Sequence, residues 1–204
     1  MKILENKTIS IVLMLVLVLA GFLLGGCKGL NAQYQKVEDV FFLGEDRDGI
    51  GIANDMSERA SALTNMQTLA AKYLESDCAE LTAAETALSS YTKAVGESEI
   101  EELFAANAQM DTAMQALYNA LSASGTSTQG QTASGQKAGS LEQDLSQKDE
   151  RYRQSLYADF NSRNDTISHD PYYSYAAEYN KLLESFPANV ISLLTPAKAA
   201  AMQY

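Results

Sequence analysis

Nucleophilic catalysis by serine or cysteine needs a base, most often histidine. The chain of 204 residues has one, His169. It lies in a polar segment just before Asp170-Pro171, where it reads as an exposed turn residue, and no spacing points to a Ser-His-Asp arrangement. Di-metal carboxylate bundles use inward glutamates and Glu-x-x-His pairs. There is no Glu-x-x-His here, and the acids fall mainly off the apolar stripes. A phosphate-binding glycine loop and an H-E-x-x-H pair are likewise missing from the sequence. In the loop Gly44–Gly51 (GEDRDGIG), Asp46, Asp48, Gly49 and Asp55 fall where a calcium-binding loop places ligands and its turn glycine. The first position would be Gly44 and the bidentate glutamate is missing, so the loop reads as an acidic turn before a helix. Neither a metal nor a cofactor is expected.

The two cysteines, Cys27 and Cys78, have no repeated spacing, which is neither a disulfide framework nor a zinc site. Cys78 follows Asp77, and adjacent acids raise a thiol's pKa rather than activate it. Cys27 is different. It ends Leu24-Gly25-Gly26-Cys27, which resembles a bacterial lipobox: an apolar residue, two small ones and a cysteine. Small residues let a peptidase approach the backbone, and the thiol is the nucleophile that takes up lipid. Ahead of it, Ile9 to Leu24 is almost wholly apolar, with Lys2 and Lys7 before it. A spanning helix needs roughly 17–25 apolar residues and a cleavable leader core about 7–15. The run sits between the two, so residues 1–26 read as a signal peptide cut before Cys27 or as a retained transmembrane helix. Both tether a soluble body, and the basic start places that body outside the cytoplasm.

Composition limits what the body meets. Formal net charge is -11. Without residues 1–26, which hold Lys2, Glu5 and Lys7, 13 basic and 25 acidic side chains remain, net -12. Nucleic-acid phosphates would be repelled by such a surface. A body lying flat on anionic lipid is disfavoured for the same reason.

The elements that position these residues read as helices. Tyr34, Val37, Val40 and Phe41 form a short amphipathic stretch ended by Gly44. A helix starting near Asn54 or Asp55 carries Met56, Ala60, Leu63, Met66, Ala70, Tyr73 and Leu74 on one face. Asp77 with Glu80, and Ser98 with Glu101, have capping-box spacing. Between them Leu81, Ala84, Leu88, Tyr91 and Val95 mark a helix ended by Gly96. Ile100, Leu103, Asn107, Met110, Met114, Leu117 and Leu121 then hold three-four spacing, with Asn107 the polar member. Residues 122–140 lack large apolar side chains, hold four glycines and read as a flexible linker. Ser140 and Gln143 restart a helix with Leu141, Leu145, Tyr152, Leu156 and Phe160 on its buried face. The segment NSRNDTISHD reads as fraying. Asp170-Pro171 opens the next helix, with Tyr172, Tyr175, Ala176, Tyr179, Leu182, Leu183 and Phe186 on one face. Pro187 interrupts, and Thr195-Pro196 caps a short alanine-rich tail helix.

No stretch alternates as a strand does. The expected fold is all-α: an antiparallel, four-helix-type bundle with an N-terminal membrane anchor. Residues 30–121 form its first half, 141–194 its second, and 195–204 a tail helix.

Glu178-Tyr179-Asn180, Leu183, Ser185-Phe186-Pro187 and Asn189 resemble the end of the LemA family, where a helix runs E-Y-N-x-x-I-x-S-F-P-x-N. Arg59 and Asn65-Met66 occupy the spacing of that family's R-x-D-L-I-P-N-L motif, and Tyr34 stands at about the family's distance before it. Ser61 replaces the acid, Thr64 replaces the proline, and GEDRDGIG interrupts a helix the family usually continues. Either Phe160-Asn161 or Tyr172-Tyr173 matches the family's Y-N pair in the second half. The resemblance implies a membrane anchor, a long antiparallel bundle and no catalytic residues.

The expected function is therefore non-enzymatic: an envelope protein, tethered to the membrane, acting on a protein partner. Cys27 would carry the lipid, and Tyr179, Asn180, Phe186, Pro187 and Asn189 would close the bundle, with Phe186 packed against its end. Tyr172, Tyr173, Tyr175 and Tyr179 crowd one helix. Core packing accounts for most of them, and an aromatic face for a small ligand is the alternative.

Overall fold

The computed structural model describes residues 7–122, 145–194 and 198–202. Among them there are seven helices and no strand. They are α1 (Lys7–Leu43), α2 (Ile52–Ala70), α3 (Ala79–Glu97), α4 (Ile100–Ser122), α5 (Gln147–Ser168), α6 (Tyr172–Glu184) and α7 (Ala188–Leu194). The all-α expectation holds, in a bundle-like arrangement.

Two apolar clusters organise the body. The larger joins α2, α3, α4 and α5 through Leu63, Met66, Ala84, Met110, Met114, Leu117, Leu156 and Phe160. The α4 seam lies as its spacing predicts, with Ile100, Leu103, Asn107, Met110, Met114, Leu117 and Leu121 all buried. Each Leu or Met sealed this way contributes about 1.5–3 kcal/mol by leaving water. The second cluster joins α1 to the start of α2, the start of α4, α6 and the tail. Its centre is aromatic: Phe41 meets Phe104 at 5.5 Å and Tyr172 at 5.2 Å, edge to face. That geometry places ring edges against ring faces of opposite partial charge.

Several boundaries differ from expectation, each for a local reason. α1 is one helix of 37 residues rather than an apolar run followed by a separate short helix. Gly25 and Gly26 sit inside it, since glycine costs a helix about 1 kcal/mol without breaking it. The stop comes at Gly44, whose φ of 82° suits glycine. α2 starts at Ile52, with Asp48 Oδ1 accepting the Ile50 N–H at 2.9 Å in the loop before it. It ends at Ala70, so Tyr73 and Leu74 are buried from a turn rather than from the helix.

Neither expected capping box forms. Cys78, not Asp77, is the N-cap of α3. Ser98 closes α3 in the left-handed conformation, φ 55°, so it ends one helix instead of opening the next, and Gly96 stays helical. Val95 is exposed. On α5 the buried face is Arg153, Leu156, Phe160 and Ile167, and Tyr152 points outward. The polar stretch expected to fray completes α5 as far as Ser168. Ile167 anchors it in the second cluster, and Arg163 pairs with Asp55 and Glu58 on α2.

The N-cap of α5 is Ser146, whose hydroxyl accepts the Asp149 N–H at 3.1 Å. Ser122 is the last residue of α4; the rest of the linker, the Ser140–Gln143 cap, Leu141 and Thr195-Pro196 lie outside the described residues. The N-cap of α6 is Pro171 rather than Asp170, so the expected cap is displaced by one residue; Asp170 Oδ1 still accepts the Tyr172 N–H at 2.8 Å. Lys198–Met202 is not helical. It lies as a strap against α6, with Asn180 bonded both ways to Ala200.

Burial raises the pKa of Tyr172 and of Tyr34, and pushes Tyr173 up to about 12. Ionisation of these phenols is easier in the unfolded chain, where they titrate near 10. Their contribution to stability is whole below about pH 10 and lost as pH rises towards the folded values. Thermal melts followed alongside tyrosinate absorbance should give a flat midpoint to about pH 9.5 and a steep fall above it. A midpoint unchanged well above pH 10 would contradict the burial of these rings.

Candidate functional site

The described residues offer three places that could carry function: a buried arginine, a tyrosine-lined groove, and the surroundings of Cys27.

Arg59, on α2, is fully buried. Its guanidinium stacks on the Phe160 ring at 3.9 Å and donates Nε–H to the Phe160 carbonyl at 3.3 Å. The two terminal nitrogens donate to Asn107 Oδ1 and to Asp111, both on α4. Burial lowers the arginine's pKa and the Asp111 carboxylate works against that; a guanidinium with such partners stays charged at neutral pH. Asn107 Nδ2 is buried and has no hydrogen-bond partner. The polar position in the α4 seam is thus the acceptor for an arginine from another helix. The arrangement clamps α2, α4 and α5 together. Arg153 repeats the design nearer the far end of α4. It stacks on Tyr118 at 4.0 Å and donates to the Tyr118 carbonyl at 2.9 Å and to Glu150.

The groove lies between α1 and α6, open to solvent, with a volume of about 400 Å³. Tyr175, Tyr179, Lys36, Glu178 and Lys181 line it. Tyr172 does not: it is sealed in the core and donates its hydroxyl to the Ala201 carbonyl at 2.7 Å. Lys36 Nζ sits 4.7 Å from the centre of the Tyr175 ring, and the Tyr175 hydroxyl donates to Glu45. Much of the polar chemistry here is already satisfied within the chain.

Cys27 is half-buried on α1, against the small cluster of Leu30, Ala188 and Ile191. α7 therefore lies directly beside the candidate lipidation residue. A methyl group at Gly26 would collide with the Ile191 side chain, so the smallness of that position also has a packing cause. N-terminal to it, Ile11, Met14, Leu15, Leu17 and Leu24 are exposed by 62–70 %. Among the described residues no helix is long and apolar enough to cross a membrane. The sixteen residues Ile9–Leu24 rise about 24 Å as helix, short of a hydrocarbon core of about 30 Å.

The remaining motif residues separate into roles the structure makes plain. Tyr179 is buried and packs on Tyr34 at 5.5 Å. Asn180 clamps the tail: its Oδ1 accepts the Ala200 N–H at 2.7 Å and its Nδ2 donates to the Ala200 carbonyl at 3.0 Å. Ser185 closes α6, with its hydroxyl donating to the Leu182 carbonyl at 2.7 Å. Pro187 follows the end of α6, as expected of a helix breaker. The packing expected of Phe186 is not found: its side chain is 80 % exposed. α6 ends at Glu184, so Phe186 no longer shares its phase. Asn65, Glu178 and Asn189 are exposed.

His169 is exposed, its Nδ1 lying 2.9 Å from the Asp165 carbonyl. Cys78 is buried, and burial raises its thiol pKa. Among the described residues no three His, Cys, Asp or Glu side chains converge as metal ligands would. No family model, curated protein or solved structure matches the chain.

The arginine clamp makes a direct prediction. Arg59→Met leaves Asn107 Oδ1 without its donor and removes the second donor of the Phe160 carbonyl, and should cost about 2–3 kcal/mol. That is below the ~3–5 kcal/mol of a fully buried broken pair, because the Asp111 side chain is 40 % exposed and rehydrates. Adding Asn107→Leu removes a stranded polar group and should restore at least part of the loss. Urea unfolding of the three proteins measures both effects; a double variant weaker than Arg59→Met refutes this account.

Proposed function

We propose that this chain is a membrane-tethered helical-bundle protein of the bacterial cell envelope, LemA-like in its motifs, that works by contact with a protein partner rather than by chemistry. The observation that carries this reading is the continuity of α1. Its first half exposes an apolar run, and its second half supplies Leu30, Val37, Val40 and Phe41 to the body's core. One element thus belongs both to the greasy leader and to the folded domain.

Lipid on Cys27 is the favoured tether. The apolar run is short for a span, and Leu24-Gly25-Gly26 places small residues where a peptidase needs them. A non-catalytic role is supported by the engagement of Arg59 with α4 and α5, the local bonding of His169 and the raised thiol pKa of Cys78. The body's acidity suits a partner other than nucleic acid. The LemA-like reading rests on the quoted motif residues, to which the structure adds local roles for Tyr179, Asn180 and Ser185.

The second reading is binding of a small ligand in the groove beside Tyr175 and Tyr179. It is supported by the groove's volume and by two lysines at its walls, Lys36 and Lys181.

Mass spectrometry of the mature protein from native membranes tests the tether. The expected result is a chain that begins at Cys27 and carries diacylglycerol. An intact Met1 would mean a retained helix, and an unmodified chain in the soluble fraction would end the tethered reading. Photocrosslinking in the same membranes, with the probe at exposed positions of α2, α3 or α5, should capture a discrete protein. Loss of that product on adding a compound that fills the tyrosine-lined groove would favour the second reading.

A further inference from the structure

We propose that α7, with Phe186 leading into it, is a second point of membrane contact that inserts its outer face into the bilayer interface beside Cys27. This rests on the membrane tether proposed above. α7 is apolar on two sides. Ala188 and Ile191 pack on α1 next to Cys27 and Leu30. The opposite side presents Val190 and Leu193, with Phe186 just before them, exposed by 43, 85 and 80 %.

Large exposed apolar side chains are not scattered evenly over this protein. Among the described residues, twelve of sixteen lie either on the leader half of α1 or between Leu182 and Leu193. The two groups are far apart in sequence, yet Ile191 touches Gly26, only two residues beyond Leu24. Two residues of helix are about 3 Å, so the patch stands level with the end of the apolar run. Charge agrees with this placement. From Ser185 to Ala197 the chain has no Asp, Glu, Lys or Arg, although one residue in five is charged overall. An acidic body repelled by anionic headgroups is expected to present its uncharged end to them. Whichever way residues 1–26 are processed, the bilayer lies at this level. Cleavage before Cys27 also removes Gly26 and uncovers Ile191, which enlarges the patch. A bilayer is therefore the occupant that the neighbouring apolar run selects, ahead of a second copy or another protein.

The chain has no tryptophan, so Phe186→Trp and, separately, Leu193→Trp each install a single reporter in the patch. Tyr152→Trp on α5, away from α1 and α7, is the control. The protein, extracted from membranes with its N-terminus as processed there, is placed in vesicles of phosphatidylethanolamine and phosphatidylglycerol, with and without brominated acyl chains, and helix content is checked by circular dichroism. The expected result is flotation with the vesicles, blue-shifted emission, and about twofold quenching by brominated lipid at both patch reporters but not at the control. Flotation with patch reporters that are unquenched and open to acrylamide overturns the α7 contact while the tether stands. Reporters shielded from acrylamide yet unquenched by lipid also overturn it, since protein then covers the patch. Failure to float removes the tether, and the α7 contact with it.

Discussion

A guanidinium sealed in an apolar interior must keep its donors occupied or the fold loses several kcal/mol. Arg59 is that group, and the body is arranged around the demand. Its partners come from α4, through Asn107 and Asp111, and from α5, through the ring and carbonyl of Phe160. Methionine and leucine contacts tolerate small slips, because apolar burial has no direction. A forked donor does not. Three helices are thereby held in one relative register, and the surrounding seam of Met66, Met110, Met114 and Leu63 packs against a fixed frame. Arg153 does the same for the end of α4, stacking on Tyr118 while reaching its carbonyl.

The second cluster is built on different physics. Here the contacts are ring on ring, with Phe41, Phe104 and Tyr172 within 6.0 Å of one another. The tail completes it: Ala200 is buried, and the Ala201 carbonyl receives the hydroxyl of Tyr172. Asn180 holds the strap by presenting a side-chain amide as if it were a neighbouring backbone. Tyr179 and Asn180, adjacent in sequence, thus hold different elements to α6. The first packs inward on α1, and the second faces the strap.

Much of this was legible where one physical signal dominates. The α4 seam could be read because seven buried positions keep strict helical spacing with one polar interruption. Asn107 was visible as that interruption, but not its reason, since the arginine it serves lies 48 positions away on another helix. Misreadings arose where a residue acts against its type. Arg153 occupies an inward position on α5 because an arginine can bury its plane against a tyrosine ring, and hydropathy assigns that place to Tyr152 instead. Ser98 adopts a positive φ usually left to glycine, so a residue that looks like the start of α4 is the end of α3. Phe186 continues the α6 stripe in sequence, but helical phase is lost after Glu184 and its side chain faces solvent. The alanine-rich tail looks helical by propensity, but its backbone is engaged by Asn180, and tertiary bonding outweighs a weak preference. For the candidate site, the lipobox-like run was readable, whereas the meeting of α7 with Cys27 depends on the fold returning its C-terminal end to its beginning.

The absence of any break between Gly25 and Leu43 in α1 has a mechanical consequence. A domain joined to its anchor by a flexible linker can sweep a wide volume. Here Leu30, already in a packed cluster, follows Cys27 by three residues, about 5 Å of stiff helix. On the membrane tether proposed above, a domain so mounted would stand upright, and a partner would meet it close to the surface and in a single orientation.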